Sequence, residues 1–133
     1  MADRDRTYCL DSWAVLRFLE GSSPAARRVR QVTRLGRPIM SWINLGEVYY
    51  TVHRTAGGAE AEATLALLRP MLALDAVTPE RVLAAARIKA THPLAYGDAF
   101  AVATAAAHRA VLLTGDPEMT TRSVGCRVED LRR

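Results

Sequence analysis

Four acidic residues lie where a parallel α/β fold would bring carboxylates together. Asp11 and Asp116 each end a short strand-like stretch, whereas Glu47 and Asp98 lie at the beginning of helical patterns. In an open α/β sheet the carboxyl ends of the strands form one edge, and ligands bind there. The sequence therefore predicts one acidic cluster, and divalent cations with oxygen ligands are the usual way to neutralise such a cluster.

Hydroxyl residues accompany two of these acids. Thr114 lies two residues before Asp116, and Ser12 directly follows Asp11. Hydroxyls beside carboxylates help to orient metal-bound water, so Thr114 joins the candidate site. Asp75 also lies near a predicted strand end, but it has no polar neighbours and is predicted to be a surface acid.

A second interpretation explains the same acids as helix-terminal residues. Asp11 and Asp116 precede helical patterns, as N-cap residues do. Asn44 and Glu47 have the spacing of a capping box. Asp98 falls in a first helical turn, where the helix dipole favours negative charge. Under this interpretation the protein is a non-catalytic module that binds nucleic acid or protein.

Length and composition favour one domain, 1–133, with a substantial core, because half of the 133 residues are hydrophobic. The longest apolar stretch, 99–107, is too short to cross a bilayer. The charged segment 1–6 is not a secretory signal, so a cytoplasmic location is expected. Cys9 and Cys126 lack metal-ligand spacing and are predicted to be reduced thiols.

The net charge of +4 permits an anionic partner such as nucleic acid. All but one of the 18 basic residues are arginine, the exception being Lys89. The densest group lies on one predicted helix and is either an anion-binding surface or a solvated helix face. Its members, of which Arg28 is expected to face the acidic cleft, are Arg27, Arg28, Arg30 and Arg34.

Short apolar stretches alternate with helical patterns along the whole chain. Predicted strands lie at 7–10, 38–40, 71–77, 111–114 and 126–128. Predicted helices lie at 12–20, 24–36, 44–53, 59–68, 80–89 and 97–108, with a short one after Pro117. This alternation predicts an α/β three-layer sandwich, with a mainly parallel central sheet of about four to five strands and helices on both faces.

Four segments carry a resemblance to a known family. They are YCLDS (8–12), SWINLGEVYY (41–50), GDAFAVATAA (97–106) and VLLTGD (111–116). In order and spacing they resemble the PIN-domain ribonucleases, in particular the VapC-type toxins of bacterial toxin–antitoxin pairs. The resemblance implies a PIN-like fold and maps the family's acids onto Asp11, Glu47, Asp98 and Asp116, and its strand-end hydroxyl onto Thr114.

The residues allow one hydrolytic mechanism. Because the sequence offers no Cys–His or Ser–His arrangement, a bound metal ion would have to activate the attacking water. Mg²⁺ or Mn²⁺ is expected, with Asp11 and Asp98 as direct ligands and with Glu47 and Asp116 acting largely through water. The resemblance implies an RNA substrate and endoribonuclease activity, although the spacing alone does not separate RNA from DNA.

The resemblance also implies partners. A small antitoxin encoded beside the toxin would lie along the helices near the acidic cleft, and the protein would form a homodimer. The aromatic candidates for the antitoxin surface are Trp13, Trp42, Tyr49 and Tyr50, although aromatic residues at helical spacing are more often part of the core.

Two residues depart from the family pattern. Many relatives have a small hydroxyl residue where this chain has Trp13, and an aromatic residue where it has Met119.

Two other classes of α/β protein that use acidic residues are excluded by the sequence. A haloacid-dehalogenase-type phosphatase requires an aspartate at position 13. A phospho-accepting receiver domain requires a lysine at a late strand end, whereas Lys89 lies within a predicted helix.

Overall fold

The computed structural model of the chain describes residues 2–132, so residues 1 and 133 of the predicted domain lie outside the described range. The strands are β1 (Tyr8–Leu10), β2 (Ile39–Ser41), β3 (Ala73–Asp75), β4 (Val111–Thr114) and β5 (Arg127–Asp130). The α-helices are α1 (Ser12–Glu20), α2 (Pro24–Leu35), α3 (Trp42–Ala56), α4 (Gly58–Leu68), α5 (Pro79–Thr91), α6 (Tyr96–Ala107) and α7 (Pro117–Thr120). Short 3-10 helices span Asp3–Asp5 and Arg69–Met71.

The five strands form one parallel sheet in the order β3-β2-β1-β4-β5. The central strand β1 pairs with β4, so that Leu10 lies beside Leu113. The carboxyl ends of β1 and β4 therefore lie next to each other at one edge of the sheet. The α/β fold with a parallel sheet, predicted from the alternation of elements, is confirmed.

Alternating side chains of β1 place a hydrophobic core on each face of the sheet. Tyr8 and Leu10 pack with residues of helices α1 to α4. Cys9, between them, packs on the other face with Val102 and other residues of α6. Helix α6 is buried along most of its length, which explains why its sequence is apolar on all sides and has no clear polar face. No helix among the described residues is long and apolar enough to cross a membrane.

The third helix begins two residues before its predicted start. Ser41, the last residue of β2, is the N-cap of α3, and its hydroxyl accepts a hydrogen bond from the Ile43 amide at 3.1 Å. Glu47 consequently lies in the second turn of α3. The capping-box interpretation of Asn44 and Glu47 is therefore wrong.

Asp75 is not the surface acid that the sequence suggested. Its side chain is only 9% exposed and accepts hydrogen bonds from Arg81 at 2.7 Å and from His108 at 2.8 Å. Burial opposes ionisation of Asp75, but the hydrogen bonds from Arg81 and His108 outweigh this effect and hold its pKa below the usual value. Both cysteines are free thiols, with Cys9 buried and Cys126 partly buried.

Candidate active site

Asp11 is fixed at the carboxyl end of β1. As the N-cap of α1, its Oδ1 accepts a hydrogen bond from the Ala14 amide at 2.8 Å. Its Oδ2 accepts a short hydrogen bond from the Thr114 hydroxyl. The side chain is buried, at 2% exposure for the residue. The cap interpretation of Asp11 is thus correct, but it accounts for only one of the two carboxylate oxygens.

Thr114 connects the ends of β1 and β4. Besides donating to Asp11, its hydroxyl oxygen accepts a hydrogen bond from the Asp116 amide at 3.0 Å. Thr114 is fully buried. Hydrogen bonds therefore link Asp116, Thr114 and Asp11 in one chain across the carboxyl edge of the sheet.

Asp98 and Asp116 lie close to each other at the carboxyl edge of the sheet. Asp116 is the N-cap of α7 and accepts from the Glu118 amide at 2.9 Å. Asp98 lies in the first turn of α6, whose N-cap residue Ala95 makes no side-chain cap. The charge and the side chain of Asp116 both raise the pKa of Asp98, as expected for two neighbouring carboxyl groups.

Glu47 reaches the cluster from α3 and is held there by Asn44. The Asn44 Nδ2 donates to Glu47 Oε1 at 2.8 Å and to the Gly97 carbonyl at 2.9 Å. Asn44 is completely buried, and its Oδ1 is a buried acceptor without a hydrogen-bond partner among the described residues. The Glu47 carboxylate also lies so close to Gly97 that a side chain at this position would overlap it.

The pKa values of Asp11 and Asp98 are raised by burial and by the charges of neighbouring acids. Burial raises the pKa of Asp11 to about 7, and the charges of Asp98 and Asp116 add to this effect against the hydrogen bonds from Thr114 and Ala14. Burial, followed by the charges of Asp116 and Glu47, raises the pKa of Asp98 to about 7. Bringing like charges together in a partly buried site has this effect.

The donor set fits a hard divalent cation. All the polar groups that converge here offer oxygen, and Mg²⁺ and Mn²⁺ prefer carboxylate, carbonyl and water oxygens. As the side chains stand, no three His, Cys, Asp or Glu residues within 2–132 are placed to hold an ion together. The Asn44 Oδ1, which has no hydrogen-bond partner within residues 2–132, is a further oxygen close to Glu47.

Two departures from the family pattern lie in and near the site. The Trp13 ring lies against Gly115, in the turn between Thr114 and Asp116, so closely that a side chain at Gly115 would overlap it. The Arg17 guanidinium lies over the Trp13 ring at 4.8 Å from its centroid. Met119 is fully buried beside Cys9 in the core on the α6 face. Trp13 therefore occupies space next to the acids, whereas Met119 only fills the core.

The other aromatic candidates lie on α3. Trp42 and Tyr50 are exposed, at 37% and 47%, and each ring is covered by an arginine, Arg69 and Arg54 respectively. Tyr49 is partly buried and donates a hydrogen bond to Glu62 of α4. Exposed aromatic surface is therefore available on α3, while Trp13 packs against the core.

Arg28 does not face the acidic cleft, contrary to expectation. It forms ion pairs with Glu129 at 2.7 Å and with Asp3 at 2.9 Å, and it also contacts Tyr8. These partners raise its pKa, with the Glu129 hydrogen bond contributing most. The residue ties α2 to β5 and to the segment before β1, so its charge is already compensated within the protein.

Sequence reasoning missed the residues that hold the cluster in place. Asn44 was considered only as a cap, although its spacing of three from Glu47 also puts both side chains on one face of a helix. Gly97 had a signal, since a glycine beside an acid in a helical pattern suggests a close approach. Glu118, whose charge also raises the pKa of Asp98, had none.

The family is established by comparison with known proteins. The family model of the PIN domain matches residues 8–123. The chain belongs to the PIN domain family. A search of curated protein sequences finds no match.

Solved structures with the same fold include components of toxin–antitoxin complexes. VapBC from Salmonella typhimurium, bound to DNA, matches with a TM-score of 0.76 and 18% identity over 95% of this chain and 98% of that chain. VapBC2 from Rickettsia felis, bound to a DNA fragment from its promoter, matches with a TM-score of 0.75 and 15% identity over 93% and 98%. VapC20 from Mycobacterium tuberculosis, a sarcin–ricin loop cleaving toxin, matches with a TM-score of 0.70 and 18% identity over 89% of this chain and 96% of that chain.

Proposed function

We propose that this PIN-domain protein is a metal-dependent endoribonuclease and the toxin of a toxin–antitoxin pair. The observation that carries the proposal is the hydrogen-bonded acidic cluster at the carboxyl edge of the sheet, in which Asp11 and Asp98 have pKa values near 7. Residues that only cap helices do not need to lie so close to other carboxyl groups. The choice of RNA and of a toxin role is supported by the family and by the toxin structures that share the fold.

In this proposal the four acids divide between two roles. Asp11 and Asp98 would contact the ion directly, and Glu47 and Asp116 would hold water molecules around it. Thr114 fixes the orientation of Asp11 and, through the Asp116 amide, the start of α7. Asn44 keeps Glu47 turned toward Gly97. When bound, Mg²⁺ or Mn²⁺ would neutralise the cluster for an anionic substrate and lower the pKa of a bound water.

Asp98→Asn is the sharpest test of the catalytic part. We expect this variant to stay folded and to lose RNA cleavage by at least roughly 100-fold, because asparagine cannot supply the negative charge. Glu60→Gln is a matched control, since Glu60 occupies the same position in the first turn of α4 but is exposed. Cleavage of RNA by the Asp98→Asn variant at the parental rate would exclude the proposal and favour a non-catalytic module.

The toxin role has its own test. Expression of the wild-type protein in a bacterial host is expected to arrest growth, and co-expression of the protein encoded beside it is expected to relieve the arrest. The Asp98→Asn variant should be harmless under the same induction. An active nuclease that leaves growth unaffected would exclude the toxin role while leaving the enzyme activity standing. A homodimer and a cytoplasmic site of action belong to the same proposal.

A further inference from the structure

Arginines gather at the edge of the sheet opposite the acidic cluster. They come from four separate parts of the chain, and each lies before or at the amino end of a strand. Because all strands are parallel, these positions share one edge. The group, called here the amino-edge arginines, comprises Arg4 and Arg6 before β1, Arg37 before β2, Arg109 before β4 and Arg127 at the start of β5.

Among the described residues 2–132 none of the amino-edge arginines forms an ion pair, in contrast to Arg28 and Arg81. The Nε of Arg6 is buried and has no hydrogen-bond acceptor in the same range. A buried, charged donor without an acceptor costs free energy, and an anion placed beside it would recover that free energy.

Two adjoining pockets give this group a concave shape. One, of about 160 Å³, is lined by Arg4, Arg6 and Arg37 together with apolar residues. The other, of about 190 Å³, is lined by Arg6, Arg109 and Arg127. Arg6 thus contributes to both pockets. Planar guanidinium groups that line a concavity from several sides are well suited to phosphate oxygens.

Arg109 follows the end of α6 and has a φ of 51°, the left-handed region in which helices commonly end. Its place in the group therefore comes from the pocket that it lines and not from its backbone. Asp5 is the acidic residue that lines these two pockets in the described part of the chain, so the edge remains strongly cationic.

We propose that the amino-edge arginines form a phosphate-binding site that contacts the backbone of the RNA substrate away from the acidic cluster. This inference rests on the proposed nuclease function. The acidic edge repels phosphate, so a second surface is needed to attract the polyanion. The edge strand β5 runs from Arg127 to Asp130, so the two edges are separated by about 10 Å along this strand.

The test compares two triple variants in an Asp98→Asn background, which prevents cleavage during the measurement. The first changes Arg4, Arg6 and Arg37 to Gln. The control changes Arg27, Arg30 and Arg34 of α2 to Gln and removes the same charge from a helix face. Binding of a fluorescein-labelled RNA hairpin is measured by anisotropy over a range of salt concentrations, after thermal melting has shown that both variants are folded.

We expect the amino-edge variant to bind the hairpin at least tenfold more weakly at low salt. The slope of the logarithm of affinity against the logarithm of salt concentration should fall by roughly 2 to 3, because each of three lost phosphate contacts removes about 0.7 on a single strand and about 0.9 on a duplex. The control should lose less than half as much in both quantities. Equal losses in the two variants would overturn the proposal, since they would reflect net charge alone.

A second arm separates RNA from a small anion. If inorganic phosphate raises the melting temperature of the Asp98→Asn parent but not of the amino-edge variant, while RNA affinity is unchanged, the site binds free phosphate and the RNA role is overturned. The failure of the nuclease proposal is distinguishable, because it would appear as absent cleavage by the wild type. Loss of hairpin binding in the amino-edge variant would still support the phosphate site in that case.

Discussion

Single residues at the acidic edge serve the fold and the candidate site together. Asp11 caps α1 with one oxygen and receives the Thr114 hydroxyl with the other. The cap interpretation is therefore correct for Asp11 and Asp116, and it is compatible with the site interpretation, which stays a prediction. For Glu47 the cap interpretation is wrong, because this residue lies inside α3 and caps nothing.

Gly97→Ala tests whether the position of Glu47 matters for activity. The added methyl group would overlap the end of the Glu47 side chain, which is flexible enough to move aside. We expect little change in melting temperature and a loss of RNA cleavage of roughly 100-fold, the cost of displacing a site residue by about 1 Å. Gly46→Ala is the control, because a side chain at Gly46 meets nothing within 4 Å. Unchanged cleavage by the Gly97→Ala variant would remove Glu47 from the site.

At the scale of elements, the site depends on how α1 packs against the turn between β4 and α7. Trp13 of α1 lies against Gly115, which leaves this turn no room for a side chain. The sequence placed Asp11, Thr114 and Asp116 at strand ends, because short apolar runs followed by cap residues are strong signals. The contact between Trp13 and Gly115 could not be predicted, since it joins residues about a hundred positions apart in sequence.

Gly115→Ala measures this contact. In the wild type we expect it to lower the free energy of unfolding by about 1–3 kcal/mol, because the methyl group would press on a partly buried aromatic ring. In a Trp13→Ser background, which restores the small hydroxyl residue of many relatives, the same change should cost less, with a coupling energy of about 0.5–3 kcal/mol. Urea unfolding of the wild type, the two single variants and the double variant gives this coupling energy as a double-mutant cycle. Additive effects would show that Trp13 and Gly115 do not press on each other.

At the scale of the whole molecule, charge is divided between the two edges of the sheet. Carboxylates occupy the carboxyl edge, and arginines that form no ion pair within residues 2–132 occupy the amino edge, although the net charge of +4 gives no hint of this separation. The parallel topology was predictable from the alternation of strands and helices. The partners of individual arginines were not, because Arg28 meets Glu129 across 101 positions of sequence.

Arg28→Gln separates a structural arginine from a binding one. We expect a lower melting temperature, because Asp3 and Glu129 would lose a shared, partly buried partner. RNA affinity should change no more than in the control Arg30→Gln, because Arg30 donates a hydrogen bond to the Gly21 carbonyl on the surface. A large loss of RNA affinity in Arg28→Gln, with stability unchanged, would return this residue to the binding surface.

The most direct test of the acidic cluster is the effect of Mn²⁺ on thermal stability at pH 8 and at pH 5.5. The folded pKa values of Asp11 and Asp98, near 7, exceed the ordinary value of 3.8, so ionising these groups costs folding free energy. Their contribution to stability is therefore lost as the pH rises through 7, and a bound cation should restore it.

We predict that Mn²⁺ raises the melting temperature of the wild type and of Glu60→Gln more at pH 8 than at pH 5.5. A gain of about 1 kcal/mol would correspond to roughly 4 °C for a chain of this size. Asp98→Asn should show little or no increase at either pH. An equal increase in Asp98→Asn and the wild type, or no increase in the wild type at pH 8, would contradict the assignment of these acids to a metal-binding active site.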